Sequence, residues 1–516
     1  MSSQFEQIHR VLVDATPLQL SLVGAAVLSA GYFLLRDKSS RKYPPGPPKL
    51  PIIGNSHNFP KEDWPVVFNE WQKQYGDIVY VQLPGMPFFI LNSLSIANEL
   101  LIKRTNINSE RKVGYMVNEM MGWDWVVAHR DTDDNFFKQR RLFKHGIGPS
   151  AVERHDALIE RCANSLALKL QNFHGKPEEI IVKCTAIAMI ELAYGQKMVE
   201  ENGEQMLKQN HEAMNMLFLG FQRIWMVNFF PWLRYVPSWM PGAGFKQIAK
   251  ETREMVQAIR SGPFNTAVQR HKEGRLDHCL AEEWISEFGP SEEAQSALAT
   301  LYFSGYDTTS TVIIRFLHAM FIFPNVAKRV QAEIDSVTGE ERLLTIKDRQ
   351  ALPFTEAVWK ESLRWRPQIP LAVSHATKED QFINGYYIPK GAVLQPNYGF
   401  MLVDPSIWGD PDSFRPERFL GPDANTLPDP SLLIFGFGTR ICPGMHFADR
   451  VAFHTALTSV SLFNILPLEG KQVPDIDRIE YTKDITRVPV KFDCRFVPRN
   501  EEANQLLSSL ALNASK

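Results

Sequence analysis

Phe435-Gly-Phe-Gly-Thr-Arg-Ile-Cys-Pro-Gly444 places one cysteine, Cys442, in a glycine-rich turn stiffened by Pro443. Gly436, Gly438 and Gly444 are expected to adopt positive φ and to let the backbone lie against a flat ligand that side chains would hold off. Amides turned toward the sulfur would donate to a thiolate and lower its basicity. Arg440, two residues earlier, offers a cation to a nearby acid. The pattern points to an anionic, planar ligand held through sulfur, although a lone cysteine is more commonly a buried structural residue.

The other cysteines, Cys162, Cys184, Cys279 and Cys494, are scattered and form no C-x-x-C pair. Zinc and iron–sulfur sites need clustered thiolates, and a disulfide framework needs a regular even set, so the spacing argues against all three. The five matching positions Phe435, Gly438, Arg440, Cys442 and Gly444 resemble the haem-binding signature of the cytochrome P-450 family. That resemblance implies haem b (iron protoporphyrin IX) with Cys442 as the axial iron ligand, and an electron-donating thiolate behind the iron.

The chain has 516 residues, 44% of them apolar, and a net charge of −2. No repeat, low-complexity linker or long charge block divides it, so one large domain is the simpler reading, and nothing in the overall charge draws it to nucleic acid. Residues 17–35, PLQLSLVGAAVLSAGYFLL, carry no charge and approach the ~20 residues of a bilayer-spanning helix. Arg36, Lys38, Arg41 and Lys42 follow, whereas only Arg10 precedes. This bias predicts residues 1–16 as luminal and the remainder as cytosolic, with a cleaved signal peptide as the second reading. The proline-rich stretch closing residues 36–51 reads as a stiff hinge.

Ala294 to Phe323 reads as one apolar helix stopped by Pro324. Inside it, Ser304-Gly-Tyr-Asp-Thr-Thr309 is unexpectedly polar. Thr308 can donate to the carbonyl one turn back and open room near Gly305, and Asp307 can exchange protons. Isolated residues of this kind are more often satisfied core groups. The segment nevertheless resembles the family's oxygen-activation motif, with Ser304 where Ala or Gly is usual, and this implies catalytic roles for Thr308 and Asp307.

Glu361 and Arg364 lie three apart on one helix face. With Arg418, in Phe414-Arg-Pro-Glu-Arg-Phe419, they resemble the family's buried ion network, a role in folding and haem retention. The same resemblance implies haem-propionate donors at Arg440, His375 and Arg140, with Phe136 replacing the usual Trp, and cofactor contacts from Phe435, Gly438 and Gly444. Lys138, Arg140, Arg141 and Lys144 make one helix basic. A charge run is ordinarily a solvated face, but in the family this helix faces an acidic electron donor. Met214 to Phe245, rich in aromatics and methionine, reads as core by composition and by resemblance as a hinged lid with an apolar, membrane-facing tip. Met116 to Val127, with Trp123 and Trp125, and Ile369 to Val373 are expected to line the remaining pocket.

The resemblance spans Tyr43 to about Pro498. Gly385-Tyr-Tyr-Ile-Pro-Lys-Gly391 and Asp404-Pro-Ser-Ile-Trp-Gly-Asp-Pro411 look most like fungal microsomal members. It implies a mainly α fold with small β-sheets, a triangular helical body holding haem between a long distal helix and the cysteine loop. Residues 52–498 would be the catalytic domain and 499–516 a polar tail. The implied activity is insertion of one oxygen atom from O2 into a lipophilic small molecule. Electrons would come from NADPH through a separate reductase or cytochrome b5, since no dinucleotide-binding fingerprint is present, and the setting would be the endoplasmic reticulum membrane, spanned once. A P-450-fold isomerase or dehydratase and a non-catalytic haem sensor are the rivals. The first often lacks the acid–alcohol pair and the second ordinarily needs an output module.

Overall fold

A computed structural model describes residues 41–514. Residues 1–16, the apolar span 17–35 and the basic residues Arg36 and Lys38 lie outside the described residues. Among the described residues no single helix is long and apolar enough to cross a membrane.

The major helices are α1 (Trp64–Tyr75), α2 (Asp134–Ile147), α3 (Asp156–Leu170), α4 (Glu178–Tyr194), α5 (Gln196–Gln222), α6 (Phe245–Lys272), α7 (Leu280–Phe288), α8 (Glu292–Ile322), α9 (Pro324–Thr338), α10 (Pro353–Arg364), α11 (Met445–Leu462) and α12 (Glu501–Ala514). Shorter helical turns join them. The strands are β1 (Ile78–Leu83), β2 (Met86–Leu91), β3 (His174–Gly175), β4 (His375–Ala376), β5 (Gln381–Ile383), β6 (Tyr386–Ile388), β7 (Val393–Pro396), β8 (Phe463–Pro467) and β9 (Cys494–Pro498). They form a four-stranded sheet in the order β1-β2-β7-β4, a three-stranded sheet β3-β9-β8 and the hairpin β5-β6. The mainly helical fold with small sheets is therefore the one the sequence implies.

α8 is the central element. Ser291 starts it two residues before the expected Ala294, its hydroxyl accepting from Ala294 N at 3.2 Å, and Glu292 and Glu293 favour the positive end of the helix. Pro324 cannot continue α8 but is suited to the first turn of α9, and the chain bends by 108° there. α8 packs on α2, α4 and α11. Ile313 to Ile322 lie in an apolar core shared with α9, α10 and α11, whereas Ala294 to Tyr306 belong to a second core with α2, α4, α5 and α6.

The residues after Pro498 are not merely a polar tail. Asn500 Oδ1 accepts from Ala503 N at 2.9 Å to cap α12, and Ala503 and Leu507 are buried where α12 meets α3 and α11. Leucines spaced three and four apart within a polar composition produce that one-sided helix.

Below α10, Glu361 and Arg364 have no exposed side-chain surface. Arg364 Nε and Nη2 donate to the two Glu361 oxygens at 2.8 and 2.9 Å, and Arg418 Nε lies 3.1 Å from Oε2. Arg415 N also donates to Oε1 at 2.8 Å. Two cations face one carboxylate, and the carbonyls of Leu402, Trp408, Asp410 and Ser413 take the remaining guanidinium hydrogens. Glu361→Gln strands both guanidinium charges and should cost about 3–5 kcal/mol, the usual penalty for breaking a buried pair. Chemical denaturation checks this, and an unchanged midpoint would assign the stability elsewhere.

Candidate active site

The cysteine loop is built by local backbone contacts. Cys442 N donates to Phe435 O at 2.7 Å and closes the turn, and half-buried Phe435 sits at its start. Gly436 and Gly438 have φ of 92° and 55°. At Gly438 a Cβ would overlap the Leu101 carbonyl oxygen and the Thr105 hydroxyl, so close backbone approach also demands glycine there. Gly444 departs from expectation. Its φ is −94°, it sits just before α11, and an added Cβ would meet only Ile147 Cδ1 at 3.7 Å. Its amide, not its conformational freedom, bears on the sulfur. Burial pushes the Cys442 thiol up, while the Gly444 N–H and the Arg140 charge pull it down. The other four cysteines are buried free thiols; Cys442 alone among the five is part-open.

α2 joins this loop to α8. Asp133 caps it by accepting from Phe136 N at 2.7 Å. Arg140 donates to the carbonyl of Ile441, and so sits against the cysteine loop. Phe136, where the family has Trp, lies under the Arg440 guanidinium at 4.2 Å from ring centroid to Cζ, an apolar ring holding a cation by its π face. Lys138 is not a free cation, because its ammonium pairs with Glu293 at 3.0 Å. Arg141 and Lys144 remain exposed on the same helix.

Arg440 is buried and donates to the carbonyls of Ser109, Val127 and Arg130 at 2.6, 3.3 and 2.6 Å. His375, in β4, donates from Nδ1 to Asn108 O at 2.9 Å, leaving Nε2 for another partner. Arg111, which the sequence reading did not single out, completes the cluster. It donates to Val373 O and Ser374 O at 2.6 and 2.8 Å, and its buried Nε has no partner. Burial first, then the Arg440 charge, pushes Arg111 down to about 9; burial pushes Arg440 down to about 10, and burial with both arginine charges holds His375 well below the usual imidazole range. None of the three side chains forms an ion pair among the described residues. Two guanidinium charges set close together, one with an unused buried Nε–H, suit an external carboxylate, and such an anion would favour the charged form of His375 in which Nε2 can also donate. This donor set fits haem propionates, and the adjacent Cys442 fits the iron.

On α8, Ser296 to Phe303 are continuously buried, whereas Ser304 is exposed and Gly305, Asp307 and Thr308 are half-buried. Ser304 Oγ donates to Thr300 O at 2.6 Å and Thr308 Oγ1 to Ser304 O at 3.2 Å. With its hydrogen turned back along the helix, Thr308 presents oxygen lone pairs outward. Gly305 serves packing: a Cβ would come 3.0 Å from Met189 Sδ of α4. Asp307 Oδ2 accepts from Thr486 Oγ1 at 3.0 Å, a partner 179 residues away that no local pattern announced.

The expected pocket walls divide. Met116, Val117, Trp123 and Trp125 are buried core, with Trp123 packed at a tilt against Phe303 of α8 at 4.6 Å between centroids. Ile369, Leu371 and Ala372 remain part-open. Between α5 and α6 the composition suggests core, yet Ile224, Met226, Phe230, Trp232, Tyr235 and Trp239 are exposed, the last at 82%. Short turns broken by Pro231, Pro237 and Pro241 keep these side chains from folding inward.

Comparison with known proteins accounts for this arrangement. The family description Cytochrome P450 matches residues 44–496. The chain is 34% identical over 525 residues to cytochrome P450 monooxygenase COX2 of Coprinopsis cinerea, covering 98% of each protein. It is 34% identical to cytochrome P450 monooxygenase 105 of Postia placenta over 96% of each, and 33% identical to cytochrome P450 monooxygenase claR of Ampulloclitocybe clavipes over 98% of this chain and 96% of the relative. With a family match over most of its length and relatives of this identity and coverage, the chain belongs to the cytochrome P-450 family of haem-thiolate monooxygenases.

Proposed function

We propose that this protein is a membrane-anchored monooxygenase that inserts one oxygen atom from O2 into a C–H or C=C bond of a lipophilic small molecule, with NADPH-derived electrons delivered by a reductase. The observation that carries this reading is the Asp307–Thr308 pair, set on the stretch where otherwise buried α8 becomes accessible. An isomerase or dehydratase without external electrons has no evident use for a paired acid and alcohol there.

When bound, haem supplies oxygen activation and the redox chemistry. Cys442 would hold its iron, with Arg440, Arg111 and His375 taking the propionates and Arg140 bracing the cysteine loop. Thr308 Oγ1, its hydrogen committed to Ser304 O, accepts a hydrogen bond from a pocket donor and positions a proton. Asp307, whose carboxyl burial pushes up toward the neutral form, takes protons from solvent and passes them inward. Half-open Ile369, Leu371 and Ala372 favour an apolar substrate. Residues 17–35 and the exposed aromatic lid support two contacts with one bilayer, with the catalytic body on the cytosolic face of the endoplasmic reticulum.

Cys442→Ala should eliminate the red-shifted Soret band of the reduced, carbon-monoxide-treated protein; its persistence would reject Cys442 as ligand. Thr308→Ala should keep NADPH consumption but lower product per NADPH by roughly tenfold or more, within the range for a lost proton-transfer group. Peroxide released and product formed are measured together, and full coupling would reject the positioning role. With Lys138 tied to Glu293, the docking charges to test are Arg141 and Lys144. Reversing both should slow iron reduction roughly tenfold at low salt and flatten its salt dependence, as expected when steering is lost. Unchanged stopped-flow rates would place the donor on another surface.

A further inference from the structure

Asp307 has surroundings that its motif does not specify. Its hydroxyl partner, Thr486, is buried in the segment between Ile479 and Val490. That segment is pinned at several points. Thr482 N donates to Val488 O at 2.9 Å, Val490 N to Glu480 O at 2.9 Å, and Arg487 N to Gln368 O at 2.8 Å. The Arg487 guanidinium also pairs with Asp63, beside the start of α1. Thr486 is therefore delivered to Asp307 by a fixed loop, not by a mobile side chain at the surface.

Two titratable groups act on the same carboxyl from the solvent side. His211 approaches from α5 and Asp484 from the loop, and both are exposed. On α8 itself, Tyr306 senses the Asp307 charge. A half-buried acid that feels the charge of two exposed ionisable groups and adjoins Thr308 is placed to carry protons between solvent and that hydroxyl.

We propose that Thr486 is a positioning residue for proton delivery: its hydroxyl fixes the Asp307 carboxyl between Thr308 and a solvent entry formed by His211 of α5 and Asp484 of the 479–490 loop. This rests on reading Asp307 and Thr308 as the relay. The direction of the effect follows from the bond. Thr486 donates to Oδ2 and so favours ionised Asp307, opposing burial, which favours the neutral acid. Charged His211 also favours the ionised form and Asp484 disfavours it. Removing the hydroxyl leaves burial less opposed, so Asp307 keeps its proton to higher pH.

The test uses the ferric holoprotein and needs no identified substrate. Infrared difference spectra followed with pH locate the protonated Asp307 carboxyl as the band missing in Asp307→Asn. Thr486→Val should carry that band to higher pH by roughly one to two units, the size of one lost hydrogen bond to a charged carboxylate, with its frequency altered. Thr486→Ser, which restores a donor, should titrate as wild type. Alongside, the pH profile of NADPH oxidation with reductase should show an inflection absent from Asp307→Asn and moved upward in Thr486→Val. If Thr486→Val loses the cysteine-ligated carbon-monoxide spectrum, Thr486→Ala replaces it. An infrared titration that superimposes on wild type in the Val or Ala variant overturns the role of Thr486. A moved titration without any Asp307-dependent inflection overturns the relay reading itself.

Discussion

Positive charge buried without a protein counter-ion is the constraint on which the site depends. Arg440 and Arg111 carry that charge, with neutral His375 beside them; the three come from distant parts of the chain, and their hydrogen bonds go to carbonyls. Carbonyls satisfy geometry but do not neutralise a cation: burial leaves both arginines below their ordinary pKa, the Arg440 charge lowers Arg111 further, and Glu110 and Asp131 offset only part of the burial at Arg440. The nearby carboxylates are committed elsewhere: Glu110 to Thr132, and Asp131 to the Arg111 backbone amide. A dianionic cofactor edge removes the conflict, so cofactor binding and folding of this region are coupled. The Glu361 network solves the same difficulty internally, with a protein carboxylate shared by two guanidinium groups. One buried charge cluster is complete in the polypeptide; the other is completed by the ligand.

Much of this was legible in the sequence wherever the signal is local. The cysteine loop is ten consecutive residues, Glu361 and Arg364 are one helical turn apart, and Pro324 stops α8, although the Ser291 cap that starts it escapes a reading that begins the helix at Ala294. What escaped lies in long-range pairing. Lys138 reads as an open cation until Glu293 is brought beside it, 155 residues on. Arg111 has no motif around it, and its meaning appears only when β4 sets His375 and the Val373 and Ser374 carbonyls next to it. Gly444 failed differently: three glycines in one turn invite a single explanation, yet Gly436 and Gly438 require positive φ and Gly444 does not. Composition also misjudged the lid, because aromatics signal burial only where the backbone can turn them inward.

α8 shows how one helix holds both stability and chemistry. Its Ile313 to Ile322 end is sealed into the core with α9, α10 and α11, and Gly305 admits Met189 of α4. Such packing leaves no slack for the helix to shift. The hydroxyls of Ser304 and Thr308 spend their hydrogens one turn back, an arrangement that satisfies the donors without any partner from the pocket. That face is thereby preset, which under the proposed reading lowers the ordering cost at the reacting centre.

Asp307 lies where that helix comes under the influence of two elements of different character. The loop that brings Thr486 is tied to α1 through Asp63 and to the segment after α10 through Gln368. α5, which brings His211, runs directly into the exposed aromatic turns before α6. A movement of those turns would pull on α5 and alter the side of Asp307 that faces solvent, while Thr486 would stay with the core. The acid therefore has one hydrogen-bond partner on a pinned loop and one through-space neighbour on α5. Under the proposed reading, a movement of the exposed turns would alter the solvent side of the proton path and leave the Thr308 hydroxyl in place.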